Sequence, residues 1–327
     1  MRKLSYVKAL NEALHQILAS DDRAFLIGQG VTSPWYVGQS CVGLPERFGD
    51  DRIIDTPVSE NGVTGMAVGA ALNGMRPILV HPRLDFMYYG MDPIANQAAN
   101  WYYMFGDQLS VPMVIWGIIN RGGEQGAQHA QAIQAIFAHL PGLKVVMPST
   151  PYDVKGLLIS SVRDGNPVVF IDERWLYAIE GEVPEEMYEV EIGKAKVRRE
   201  GEDLTIITSS FLTHEALKAS EVLEKEGISV EILDLLSIKP LDTKAILRSV
   251  SKTGRTLILD GGWRSFGVSA EVSAVIAENG LCCGKGCLTR MALPDLPAPA
   301  SRTLETAYYP NVDDIVHTVR EMVGVLE

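Results

Sequence analysis

Three shortages bound what this chain of 327 residues can be. It has four cysteines, too few to staple a chain of this length, so a disulfide scaffold is excluded. Cys282, Cys283 and Cys287 sit near a Gly-Lys-Gly turn, but no other Cys or His has the spacing that completes a zinc site, and the cluster reads as a reduced surface turn. It has no block of lysine or arginine and carries 29 basic against 41 acidic residues, a net charge of −12, which argues against nucleic acid or an anionic membrane as the main partner. It has no apolar run long enough to span a bilayer, and Met1-Arg2-Lys3-Leu4-Ser5 leads into an amphipathic helix rather than a secretion signal, so a cytoplasmic protein is expected. What is plentiful is apolar side chain: 46% hydrophobic against 21% charged residues allows a large core, divided between two domains.

Continuous apolar runs, the pattern of strands buried on both faces, occur at Ala24 to Ile27, Pro77 to Val80, Val111 to Trp116, Lys144 to Met147 and Pro167 to Ile171. Helical patterns alternate with them at 4–18, 60–74, 86–104, 129–139 and 151–163. That alternation predicts an α/β fold with a parallel doubly wound sheet over residues 1–180. An acidic stretch with Pro184 in it, 181–203, reads as a linker, and a second, smaller α/β alternation fills 204–327.

Open parallel sheets bind ligands at the carboxyl ends of their strands, which directs attention to the loops. Asp55-Thr56-Pro57-Val58-Ser59-Glu60 sets Glu60 at the first turn of a helix rich in small residues; taken alone, such an acid complements the helix dipole. The run from Asn120 to His129 is rich in glycine and ends in a histidine that opens a helix, yet it has neither the Walker lysine spacing nor a GxGxxG straight after a strand. His129 by itself reads equally as a capping, core or catalytic residue. His81, Arg83 and Asp85 follow the Val80 strand; either the histidine and arginine face an anionic or polyhydroxylated substrate, or Arg83 pairs with Asp85 while His81 packs.

Six motifs in collinear order then carry a resemblance: Asp55 to Glu60; Ala127-Gln128-His129; Pro141 to Val146 with Pro148; Ile192 to Ala195; Pro240-Leu241-Asp242; and Gly261-Gly262-Trp263 with Phe266-Gly267. From about residue 4 to 325 the chain resembles the β subunit of the thiamine diphosphate-dependent 2-oxo acid dehydrogenases, in the transketolase-like superfamily. The resemblance implies a pyrimidine-binding domain followed by a transketolase C-terminal-type domain. It implies that Glu60 hydrogen-bonds the aminopyrimidine ring and favours its imino tautomer, that Phe86 forms an apolar wall with Val58 and Tyr89 as further candidates, and that His129 serves covalent intermediates at the substrate end. The family's Gly-Asp-Gly motif for the diphosphate and Mg²⁺ is absent, so the resemblance also implies an α-type subunit that holds them, in an assembly of two α and two β chains, with a lipoyl acyltransferase core as a further partner. Ser161, Val162, Asp164 and Asn166 match a loop that holds K⁺ in some relatives.

Several positions depart from the family pattern. Gly28-Gln29-Gly30 stands where relatives have Gly-Glu-(Glu/Asp), Asn61 stands where many have a second acid, and Leu296 to Ala300 lacks a common tyrosine. The reading is therefore a subunit that decarboxylates a 2-oxo acid and passes the acyl unit to a lipoyl carrier. An acyloin- or ketol-forming enzyme with an aldehyde acceptor and a non-catalytic regulatory subunit stand as alternatives.

Overall fold

A short strand, β1 (Arg2–Ser5), leads into α1 (Tyr6–Ser20), whose Tyr6, Ala9, Leu10, Ala13, Leu14, Ile17 and Leu18 are buried. This is the stripe expected of apolar residues three and four apart, and each buried leucine or isoleucine contributes roughly 2 kcal/mol. The computed structural model describes residues 2–33, 37–281, 284 and 286–325. Cys282 and Cys283 lie outside the described residues. The chain forms two units, Met1–Arg121 with Gln128–Ile192, and Gly122–Ala127 with Gly193–Glu327.

In the first unit the chain continues through β2 (Ala24–Gly28), α2 (Leu44–Phe48), β3 (Ile53–Asp55), α3 (Glu60–Leu72) and β4 (Arg76–His81). It then runs through α4 (Trp101–Met104), β5 (Val114–Ile119), α5 (Gln134–His139), β6 (Lys144–Val146), α6 (Pro151–Arg163), β7 (Val168–Glu173) and β8 (Glu180–Val183). Six of these strands lie side by side in the order β6-β7-β5-β4-β2-β3, each pair parallel. β2, β5 and β7 are buried at every residue, as a sheet covered on both faces requires. From β2 the chain steps to β3 on one side, and from β4 to β5 on the other, so the order reverses between β2 and β4. In open parallel sheets such a reversal is where ligands bind, outside the carboxyl ends of the strands. Separately, β1 pairs antiparallel with β8.

Two helical expectations are shortened. Residues 86–104 form no single helix but a 3₁₀ segment, Leu84–Gly90, a π turn, Pro93–Ala98, and then α4. Pro93 has no N–H to continue a ladder, and the next bonds reach one residue too far, Ala99 N donating to Ile94 O at 3.0 Å. The helix expected over 129–139 begins only at Gln134. The Gln131 amide is directed instead to the Asp85 carboxylate at 3.2 Å.

Residues 181–203 carry β8 and, in the second unit, β9 (Lys196–Arg199). Then follow β10 (Leu204–Thr208), α7 (Phe211–Glu224), β11 (Val230–Asp234), β12 (Ser237–Lys239), α8 (Thr243–Thr253), β13 (Thr256–Trp263), α9 (Val268–Glu278), β14 (Leu288–Leu293), α10 (Arg302–Tyr308) and α11 (Val312–Val323). Its sheet runs β14-β13-β10-β11-β9, parallel except for β9. The core closes where α7 and α11 bury Leu212, Leu223, Ile315 and Val319 against Ile206 and Ile232.

Candidate functional site

The residues singled out in the sequence leave the sheet at the carboxyl ends of four strands on both sides of the order reversal: Gln29 after β2, Glu60 after β3, His81 and Phe86 at and beyond the end of β4, and His129 beyond β5. β2 ends on Gly28 at φ +155°, where an added Cβ would lie 2.4 Å from the Val80 carbonyl oxygen on β4. Only glycine fits so close an approach. The turn that follows is tied to β3, because the Asp55 carboxylate accepts from Gly30 N at 2.9 Å, Thr32 N at 3.3 Å and Thr32 Oγ1 at 2.5 Å. Burial works to raise the Asp55 pKa, but these bonds hold it below the usual value.

Glu60 opens α3 and is half-buried. Its Oε1 accepts from Gln29 Nε2 at 3.1 Å, and its carbonyl from Thr64 Oγ1 at 2.6 Å. The Thr64 hydroxyl also lies 3.4 Å from His81 Nε2. With its own proton given to Glu60, Thr64 is the acceptor from an Nε2–H tautomer. His81 is buried at the end of β4, and burial alone pushes its pKa down to about 4, so it is neutral near pH 7. It therefore faces Thr64 rather than open space.

The segment after β4 aims Phe86 at His129: their rings meet edge to face, 5.4 Å between centroids at 82°. Asp85 is 4% exposed. Its Oδ1 takes the Gln131 amide, and so anchors the segment just beyond His129. Burial raises the Asp85 pKa, while the Gln131 bonds and the His129 charge oppose that rise. Arg83 NH1 donates to the Pro82 carbonyl at 2.6 Å. Val58 and Tyr89, 80% and 71% exposed, stand on the surface, where this chain builds nothing over them.

The structure thus brings Glu60, Phe86 and His129 to the carboxyl end of the sheet and adds Gln29, Thr64 and Asp85, which the sequence reading gave no site role. Thr64 had a legible signal, since it lies four residues beyond Glu60 on the same helical face. The Asp85 contact to Gln131 had none, being a long-range bond between two loops.

The potassium positions lie elsewhere, at the end of α6. The Val162 carbonyl accepts from Arg76, and the Asp164 carboxylate from Lys144 and from Asn166 N, the last at 2.9 Å. Ser161 Oγ donates back to Leu157 O at 2.6 Å. Among the described residues, no group of three or more His, Cys, Asp or Glu side chains is placed to hold a metal ion, and no helix is long and apolar enough to cross a membrane. Cys41 is buried, its thiol pushed up to about 12 by burial, and Cys287 is half-buried.

Comparison with known proteins adds an independent line. Residues 2–179 match the transketolase pyrimidine binding domain, and residues 193–315 the transketolase C-terminal domain. The chain is 39% identical over 323 residues to the pyruvate dehydrogenase E1 component subunit beta of Bacillus subtilis, covering 98% of this chain and 99% of that one. It is 40% identical over 324 residues to the 2-oxoisovalerate dehydrogenase subunit beta of the same organism, at 98% and 99% coverage. It is 39% identical over 333 residues to the acetoin:2,6-dichlorophenolindophenol oxidoreductase subunit beta of Cupriavidus necator, at 98% and 97%. Among solved structures, a split gene transketolase in an inactive beta4 tetramer superposes with a TM-score of 0.78 over 99% of both chains at 20% identity, a likeness of fold.

Proposed function

The chain belongs to the β-subunit family of the thiamine diphosphate-dependent 2-oxo acid dehydrogenases, and on that premise we propose that it supplies the pyrimidine half of the cofactor site to an α-type partner and with it decarboxylates a 2-oxo acid. The observation that carries this reading is Glu60 at the first turn of α3, its carboxylate held by Gln29 and its main-chain carbonyl by Thr64, near the order reversal of the sheet. When bound, thiamine diphosphate supplies the carbanion and stores the electron pair left by carbon dioxide. The protein's own groups do the rest. Glu60 accepts a hydrogen bond from the pyrimidine ring and holds the proton there. Phe86 gives that ring an apolar wall and keeps His129 edge-on beside it. His129 donates or takes the proton that the substrate's oxygen needs as its charge changes. Arg83, on the loop after β4, is the cation assigned to the substrate's carboxylate; Val58 and Tyr89 are assigned to the surface that the partner covers.

Mg²⁺ and the diphosphate are assigned to the partner, in an assembly of two α and two β chains, because this sequence has no Gly-Asp-Gly motif. Potassium, if bound at Ser161, Val162, Asp164 and Asn166, would meet the positive charge that Arg76 and Lys144 already bring to Val162 and Asp164, and no step of the reaction uses it. A lipoyl group on an acyltransferase core is the acceptor this reading favours.

The test is calorimetric titration of thiamine diphosphate with Mg²⁺ into the isolated chain and into its complex with the copurifying subunit. Binding in the complex alone is expected, followed by turnover of a 2-oxo acid that reduces lipoamide. Tight binding to the isolated chain would overturn the division of the site. Turnover with an aldehyde but not with lipoamide would replace the dehydrogenase by a ketol-forming enzyme, and a complex that binds no cofactor would leave a regulatory subunit.

A further inference from the structure

Gln29 occupies a position that the rest of the fold is built to fix. Gly28 before it admits no side chain, Gly30 after it has φ +70°, and the Gly30 and Thr32 amides are both held by Asp55. Gly28 is tied on its other side as well, its carbonyl accepting from Thr56 N at 3.1 Å. The side chain so placed is 9% exposed and reaches Glu60 Oε1 at 3.1 Å. A carboxylate only accepts, so the amide nitrogen of Gln29 must be the end that faces it. The Glu60 main chain is meanwhile pinned by Thr64, which His81 backs from β4. One carboxylate oxygen of Glu60 is engaged by the protein, and Oε2 is left to a ligand.

We propose that Gln29 is the positioning residue of Glu60: by occupying Oε1 with a neutral donor it turns Oε2 toward the pyrimidine nitrogen of the cofactor. The inference rests on the cofactor site proposed above and adds to it the residue that sets the orientation of its key carboxylate. An acid at position 29, as in relatives, could donate to Glu60 only while protonated, because two carboxylates at hydrogen-bond distance either repel or share a proton. A neutral amide holds Glu60 without competing for the proton that Glu60 must handle.

The experiment compares two ligands in the assembled complex, thiamine diphosphate and the analogue in which the pyrimidine nitrogen facing Glu60 is replaced by C–H. Calorimetry on the unaltered complex is expected to favour the natural cofactor by about tenfold or more, the worth of a hydrogen bond to a charged group. In Gln29→Leu, similar in size but without a donor, that ratio is expected to fall toward one, chiefly through weaker binding of the natural cofactor. A variant that weakens both ligands equally, or that keeps the full ratio, overturns the positioning role, since a merely structural residue moves both alike. Gln29→Met gives the same comparison should the leucine variant not assemble. If the unaltered complex binds neither ligand, the cofactor site itself is refuted, a result distinct from loss of the ratio.

Discussion

Asp172 gives the sharpest prediction about stability. It lies near the end of β7, fully buried, with Oδ2 accepting from the Tyr177 hydroxyl at 3.1 Å. Burial pushes its pKa up to about 7, against 3.8 for the free side chain, although Arg174 and Tyr177 pull the other way. The native state therefore binds this proton more tightly than the unfolded chain. The stabilisation is full below pH 3.8, is lost as pH rises toward 7, and has gone above that. The difference amounts to about 4 kcal/mol at 1.36 kcal/mol per pH unit. His81 acts in the opposite sense: its pKa falls from 6.5 to about 4, so it contributes stability above 6.5 and loses about 3 kcal/mol as pH falls through that range. The two slopes nearly cancel between pH 4 and 6.5, and the pH profile of the unaltered protein hides both. Asp172→Asn removes one of them while keeping the shape and an acceptor for Tyr177. Urea unfolding followed by tryptophan fluorescence, to which the buried Trp116 contributes, should show the variant gaining on the parent by about 4 kcal/mol from pH 4 to pH 8. A difference that stays constant over that range refutes the assignment of the proton to Asp172.

Glu60→Gln in the assembled complex should lower turnover by a factor of about a hundred or more, about 3 kcal/mol in the barrier, with an unchanged circular dichroism spectrum; near-normal turnover would sink the mechanism. His129→Gln should lower kcat by about a hundredfold and leave the calorimetric affinity for the cofactor unchanged, separating proton transfer from binding. Lys155→Met should cost about 3 kcal/mol or more in urea unfolding, because the fully buried ammonium donates to Glu12 Oε1 at 2.6 Å, Pro184 O at 2.7 Å and Glu185 O at 3.1 Å, and those acceptors would lose their partner. Gly142→Ala should cost about 2 kcal/mol or more by the same measurement, since φ is +88° and the new Cβ would fall 1.9 Å from the Ala99 carbonyl oxygen.

Strand and helix alternation was legible because it rests on local pattern: the run Ala24 to Ile27 became β2, and the periodic stripe at 4–18 became α1. Glu60 could be placed at a helix start from the preceding Pro57 and Ser59. What local pattern could not contain was pairing between loops. The late start of α5 follows from an amide captured by Asp85, 46 residues earlier in the chain. The broken path from Leu84 to Met104 follows partly from Pro93, which was visible, but the π turn beyond it was not. Gln29 was legible as a departure from the family's acid, and so read as a loss. Its bond to Glu60 gives the same residue a positive role, and only the neighbouring position of β2 and β3 in the sheet makes that bond available.

The kinds of side chain gathered at the carboxyl ends of β2 to β5 also fit the proposed dependence on a partner. An amide, a carboxylate, a phenyl ring and an imidazole suit a flat, uncharged heteroaromatic ring and the movement of a proton. A diphosphate asks for the reverse: concentrated positive charge, a hard cation held by oxygen ligands, or a row of free amide N–H groups. A chain with net charge −12 and no block of basic residues offers little general attraction to a free polyanion. On the proposed function the anionic end is bound by another surface, and the ring end alone makes too few contacts for tight binding, because association must first offset the lost freedom of the ligand. A site divided as proposed would couple cofactor binding to assembly: each chain would hold one end of the ligand, and bound cofactor would stabilise the complex over its separated subunits by mass action.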